Sequence, residues 1–211
     1  MKNSNGLQGV TNKRRIERKN YIYIGMIILL ISGVVYIQIE NYNLQKVNDN
    51  IKSSYEIDEK ILNIEEQYIT KAREYYDLAG EDYINTDYKG VVRNCVKARD
   101  YYSEGTQKYR ELKSELESKE QNELTDLYIG LTKEMIIIDN NLFEACEYFE
   151  TASKYYDIYF NTDVSFDDSS YEMGTDSIDK MNDKIQSHDL AVERYNDIAS
   201  KITIKIREML K

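Results

Sequence analysis

The chain has 211 residues, 38 of them acidic and 28 basic, for a net charge of −10, and it lacks both proline and tryptophan. So acidic a surface repels a phosphate backbone, which excludes nucleic acid as the main partner. A chain with no proline, nine glycines and 31% charged residues describes long amphipathic helices and excludes a turn-rich strand fold. The 20 tyrosines supply apolar bulk with a hydroxyl at the tip, which suits a thin bundle whose core positions lie close to water.

Charge is divided unevenly. Residues 1–20 hold Lys2, Lys13, Arg14, Arg15, Arg18 and Lys19 against Glu17 alone, a net of +5, which leaves −15 for the remainder. Residues 21–39 follow without a single charge and make about 28 Å of helix, close to the thickness of a bilayer core. Tyr21, Tyr23 and Tyr36 lie near the two ends, where aromatic rings sit at headgroup level. Residues 36–40, Tyr-Ile-Gln-Ile-Glu, offer no Ala-x-Ala-like cleavage site, so the segment reads as a signal-anchor rather than a cleaved leader. Basic residues beside an apolar span stay on the cytoplasmic side. The expected layout is a cytoplasmic tail over 1–20, a transmembrane helix over 21–39 in contact with lipid, and an extracytoplasmic domain over 40–211. The protein is expected in the cell membrane, crossing it once.

Along that domain, core-type residues recur in alternating steps of three and four, the 3.5 repeat that keeps one seam of a helix facing its neighbours. The stretch 40–84 carries a broad, less regular stripe through Leu44, Val47, Ile51, Tyr55, Ile61, Leu62, Ile69, Ala72, Tyr76, Ala79 and Tyr83. A second helix over 87–118 is strictly regular from Tyr88 through Val91, Cys95, Ala98, Tyr102, Gly105, Tyr109 and Leu112 to Leu116. A third over 121–160 runs from Leu124 through Tyr128, Leu131, Met135, Ile138, Leu142, Ala145, Phe149, Ala152 and Tyr156 to Tyr159, in unbroken register across Asp139-Asn140-Asn141. Asp-Asn-Asn is also a helix-start signal, so either a continuous helix or a local break is open there. The fourth helix, over 175–210, reads Ile178, Met181, Ile185, His188, Val192, Tyr195, Ala199, Ile202, Ile206 and Met209, the cleanest seam of the four.

Breaks are expected at Asn85-Thr86-Asp87, near residues 118–121, and across 161–175, where Gly174 supplies a stop or cap signal. Four helices of about 45, 32, 40 and 36 residues match well enough to bury their seams together. The expected fold is all-α: an N-terminal transmembrane helix followed by an elongated antiparallel four-helix bundle with coiled-coil-like packing. The motif Ala72-x-x-x-Tyr76 recurs as Ala98-x-x-x-Tyr102 and Ala152-x-x-x-Tyr156. Small/large pairing lets helices approach closely; a tetratricopeptide-like array binding a peptide is the alternative, but it requires short helices and a constant period near 34.

Candidate chemistry is sparse. Pairing Leu116 with Leu124 across the second hairpin puts Cys95 and Cys146 at one level of the bundle. A disulfide is open to them in an oxidising exterior if their Cα atoms fall within about 7 Å; two small buried thiols are the other reading. His188, the sole histidine, falls near Ala145 and Cys146 if the third and fourth helices pair around a residue sum of about 334. No local Cys-x-x-Cys spacing supports a metal there, and none is expected. The loop carboxylates Asp163, Asp167, Asp168 and Glu172 do not follow the EF-hand pattern and read as a solvated acidic tip, the place where a basic partner or a cation would touch the domain. The chain has no phosphate loop, nucleophile elbow or His-Glu-x-x-His, so neither catalytic residues nor a cofactor are expected.

In outline this arrangement resembles the extracytoplasmic four-helix bundles of bacterial and archaeal receptors, a resemblance of architecture that carries no family motif. The first functional expectation is an anchored, non-catalytic interaction or scaffold module that binds a protein partner or a copy of itself. The alternative is a sensor-like ligand-binding bundle acting through a partner; a cavity lined by residues such as Tyr76, Tyr102 and Tyr156 would favour it, and a packed core with no pocket would favour the interaction module.

Overall fold

The structure, a computed structural model, describes the backbone of residues 5–119, 121–161 and 168–210, and the side chains from Leu30 onward within those spans. Among the described residues it is all helix. Helix α1 runs Asn5–Ile64, a π-helical turn spans Glu65–Ile69, α2 runs Thr70–Ile84, α3 Tyr88–Ser118, α4 Glu123–Asn161 and α5 Asp168–Met209. The backbone is helical on both sides of the π-turn, at Ile64 and at Thr70, so residues 53–84 form one rod, the first of the bundle. The chain divides into two units, Met1–Lys52 and Ser53–Lys211.

The first unit is described by the exposed apolar side chains of its helix: Leu30, Ile31, Val34, Val35, Tyr36, Ile37 and Ile39 all face outward. No helix among the described residues is long and apolar enough to cross a membrane. The side chains of residues 21–29, half of the expected span, lie outside them.

The second unit is a helical bundle of four rods. Antiparallel neighbours follow from the pairs that meet: Lys60 with Glu115 and Tyr109 with Glu65 between the first rod and α3, Arg99 with Glu147 between α3 and α4, and Lys184 with Glu144 between α4 and α5. Close backbone approach runs from α2 to α3 to α4 to α5, while the first rod and α5 stand wider apart.

The seams explain the burial. Every expected position of α3 is buried, from Tyr88 to Leu116, and so is every one of α4 from Leu124 to Tyr156. Fully buried apolar side chains of this kind contribute about 1.5–3 kcal/mol each. Helix α4 is continuous through Asp139-Asn140-Asn141, so the register wins over the local start signal. The irregular stripe of the first rod also has a cause. Its buried residues step Ile57, Ile61, Ile64 and then jump five to Ile69 before resuming at Ala72. The π-turn absorbs that one extra residue and returns the seam to α3. Gly105 permits it: a Cβ there would run into Ile69 Cδ1.

Capping is local and conventional. Asp87 accepts a hydrogen bond from the Gly90 N–H at 3.0 Å to open α3, and Asn122 accepts from Leu124 and Thr125, both at 3.0 Å, to open α4. Thr86, between α2 and α3, takes the left-handed conformation at φ 59°.

Two expectations are corrected in α5. The helix begins at Asp168, so Gly174 stands inside it rather than at its start. A glycine is needed there because a Cβ would lie 2.6 Å from Tyr156 Cε1. The α4/α5 register also differs: Glu144 meets Lys184, Glu134 meets Arg194 and Glu123 meets Lys205, pairs that sum to 328 rather than 334. The cleanest seam in the sequence is the least buried, since most of its positions remain half-exposed and only Ile202 among them is buried.

Candidate ligand-binding cavity

The wide side of the bundle, where the first rod and α5 stand apart, holds a cavity of about 260 Å³ midway along the rods. Its apolar wall comes from Met135 and Ile138 of α4 and Val192 of α5. Its polar groups are Glu65 and Arg73 of the first rod, Asp139 of α4, and Tyr195 and Asn196 of α5. Asp139 and Ile138 are buried and form the floor, whereas Arg73 and Asn196 are exposed and mark the mouth.

Each polar group is there for a structural reason. The continuous α4 carries Asp139 one position beyond the seam residue Ile138, which turns it inward toward the gap. Glu65 is the first residue of the π-turn, and π-turns inside helices recur at functional sites. Its carboxylate accepts from the buried Tyr109 hydroxyl at 2.9 Å and lies 3.7 Å from the Arg73 guanidinium. Asp139 is different: only 2% of it is exposed, and its Oδ2 has no hydrogen-bond partner. The hydroxyl of Tyr102, fully buried, is likewise unpartnered.

Burial first, and then the Glu65 carboxylate, hold the Asp139 carboxyl well above the usual carboxylate range, against the pull of Arg73. Burial also raises the Tyr102 and Tyr109 phenols, reinforced by Cys146 at Tyr102 and by Glu65 at Tyr109. The site therefore combines an unpaired buried carboxyl, a paired carboxylate and a guanidinium at the opening. A second groove of similar volume, between the first rod and α3, is spanned by the Lys60–Glu115 ion pair at 2.6 Å, so its charges already have partners.

The residues singled out by sequence fall as follows. Cys95 and Cys146 do share one level; both are fully buried free thiols, and contact with Cys95 together with burial raises the Cys146 thiol. His188 does not join them. In the observed register it is partly exposed and pairs with Asp189 at 3.0 Å, and no cluster of metal-ligating side chains forms among the described residues. Asp168 and Glu172 are exposed in the first turns of α5, while Asp163 and Asp167 lie outside the described residues. Tyr156 packs among Tyr83, Tyr88, Phe160 and Tyr171 at the far end of the bundle, and the mid-bundle cavity is lined by none of Tyr76, Tyr102 and Tyr156.

Sequence reasoning missed Glu65, Arg73, Asp139, Tyr195 and Asn196. A signal existed for one of them: a continuous register through Asp139 places a carboxylate beside a core position in mid-helix, which native chains seldom do without a partner. The rest depended on the phase of the first rod and on the pairing of α5. Comparison with protein-family models, with curated proteins and with solved structures finds no match for the chain.

Proposed function

We propose that this protein is a membrane-anchored, extracytoplasmic helical bundle that binds a small molecule in its mid-bundle cavity and acts through a partner protein. The observation that carries the reading is the buried, unpartnered carboxyl of Asp139 in a cavity with an exposed mouth. A core selected for packing alone would fill that space with apolar side chains, because an orphaned buried carboxyl costs several kcal/mol, of the order of a large fraction of net stability. At about 260 Å³ the space falls just below the range typical of drug-sized pockets, about 300–1,000 Å³, so the ligand is small. The anchor rests on the charge-free run of residues 21–39, on the basic cluster before it and on the outward-facing apolar side chains from Leu30 to Ile39. The test is native mass spectrometry of the full chain extracted from its membranes. A small molecule that copurifies and is displaced on unfolding supports the reading; an empty cavity, combined with no thermal shift across a library of small metabolites, refutes it.

A second reading, an interaction module, is favoured by the far end of the bundle. There Ile158, Phe160, Tyr171 and Met173 are exposed where α4 ends and α5 begins, beside exposed Asp168 and Glu172. Crosslinking in native membranes that captures one reproducible protein through residues 158–173 would support it; self-crosslinks alone would point to a homo-oligomer.

A further inference from the structure

Resting on the ligand-binding reading above, we propose that the cavity recognises a primary ammonium group, held by Asp139 at the floor with an aliphatic stem against Met135, Ile138 and Val192. The argument is one of charge and unmet valence. Within the cavity Glu65 is already engaged, by Tyr109 at 2.9 Å and by Arg73 at 3.7 Å. The sole described carboxyl there without a hydrogen bond is Asp139, and it is 98% buried.

A buried carboxyl in this position has two ways to be satisfied: it holds a proton, or it meets a cation that enters with its own donors. A neutral acceptor would meet only the protonated acid, and an anion would find no positive charge at the floor, whereas a cation satisfies the ionised carboxylate. A guanidinium is already supplied by the protein at the mouth, where Arg73 leans to Glu65 and is 52% exposed. An ammonium brings three donors on a compact head. It would find Asp139, the Glu65 carboxylate and the side-chain carbonyl of Asn196 among the polar groups around the space. A metal ion is a poorer fit, since only two carboxyls line the space and no group of three metal-ligating side chains forms among the described residues.

Two sources share this head group, a simple alkylamine and an α-amino acid, and Arg73 separates them. An amino acid would place its carboxylate on the guanidinium at the mouth; an amine would leave Arg73 untouched.

The experiment is calorimetric titration of the full-length protein in detergent with n-butylammonium, n-butanol, butyrate and norvaline. The expected result is saturable one-site binding of butylammonium or norvaline, with butanol and butyrate weaker by about tenfold or more, the value of a charged hydrogen bond. Asp139→Asn, which keeps the shape and removes the charge, lowers ammonium affinity by a similar factor while circular dichroism shows the helices retained. Arg73→Gln weakens norvaline and leaves butylammonium unchanged if the ligand is an amino acid. Equal binding of butanol or butyrate, or full affinity in Asp139→Asn, overturns the ammonium assignment and leaves the cavity reading standing. Silence from all four ligands overturns the ammonium assignment as well; if the metabolite screen is also blank, the cavity reading falls with it.

Discussion

The same substitution, glycine to alanine, should have opposite effects at two helical positions of this bundle. Gly80 sits inside α2, and a Cβ built there meets nothing within 4 Å. Alanine at that site gains helix propensity at no steric cost, about 0.8–1.0 kcal/mol. Gly174 sits inside α5, where the same Cβ would lie 2.6 Å from Tyr156 Cε1 and 2.9 Å from Cδ1. The Tyr156 ring has little freedom to move, packed against Tyr83, Tyr88, Phe160 and Tyr171 with centroids 5.8–6.2 Å away for Tyr171, Tyr88 and Tyr83. Overpacking of this sort costs about 1–3 kcal/mol, which offsets the propensity gain and leaves a net loss of up to about 2 kcal/mol. Urea unfolding of the full chain, followed by far-ultraviolet circular dichroism, reads both values from the midpoint shift. In thermal melts the two variants should separate by several degrees, at about 2–4 °C per kcal/mol for a domain of this size. If Gly174→Ala stabilises as much as Gly80→Ala, the close packing of α5 on Tyr156 is wrong, and with it the start of α5 at Asp168.

Further perturbations reach other parts of the molecule. Because the folded chain holds the Asp139 carboxyl well above the usual range, it keeps a proton that the unfolded chain releases near pH 4. The stability this group contributes is present at low pH and is lost as pH rises toward the folded-state pKa. Asp139→Asn removes that slope and raises the unfolding free energy of the ligand-free protein at neutral pH by about 1–3 kcal/mol, read from urea midpoints of both proteins across the acid range. Thr86→Gly relieves a β-branched residue at φ 59° and should stabilise by about 1 kcal/mol in the same assay, with no change in helix content. Cys95 and Cys146, both fully buried, should stay silent to a thiol reagent in the native protein and titrate as two free thiols after non-reducing denaturation; zero thiols would mean that they are bonded.

The fold was legible where the sequence repeats strictly. The seams of α3 and α4 are continuous, so their burial follows from a 3.5 period alone, and one level of the bundle could be computed well enough to bring Cys95 to Cys146. The membrane span is a different case: the charge-free run is plain in the sequence, yet all of its side chains before Leu30 lie outside the described residues. The loop before α5 hid the register of the last helix, because a connection's length does not fix where the next helix begins. An early start at Asp168 moved every α4/α5 pair and separated His188 from the cysteines. The site was illegible for a related reason. Its carboxyl on α4 stands in Asp139-Asn140-Asn141, where a start signal and the seam's register compete, and its other groups come together only once the first rod's extra residue is placed.

That extra residue behaves like a dislocation in a crystal row. On either side of Glu65–Ile69 the first rod is an ordinary helix, yet the two lengths are out of phase by one residue, or about 100° of rotation. Ile57, Ile61 and Ile64 on one side and Ala72 and Ala79 on the other are all buried only because the fault lies between them. Removing one residue from the turn would therefore not trim the rod by a small amount. It would swing one length against the other and turn a set of core side chains out into water. The fault is also where Glu65 meets Tyr109 and Arg73, so the defect that keeps both halves of the rod in register is the same one that shapes the wall of the cavity.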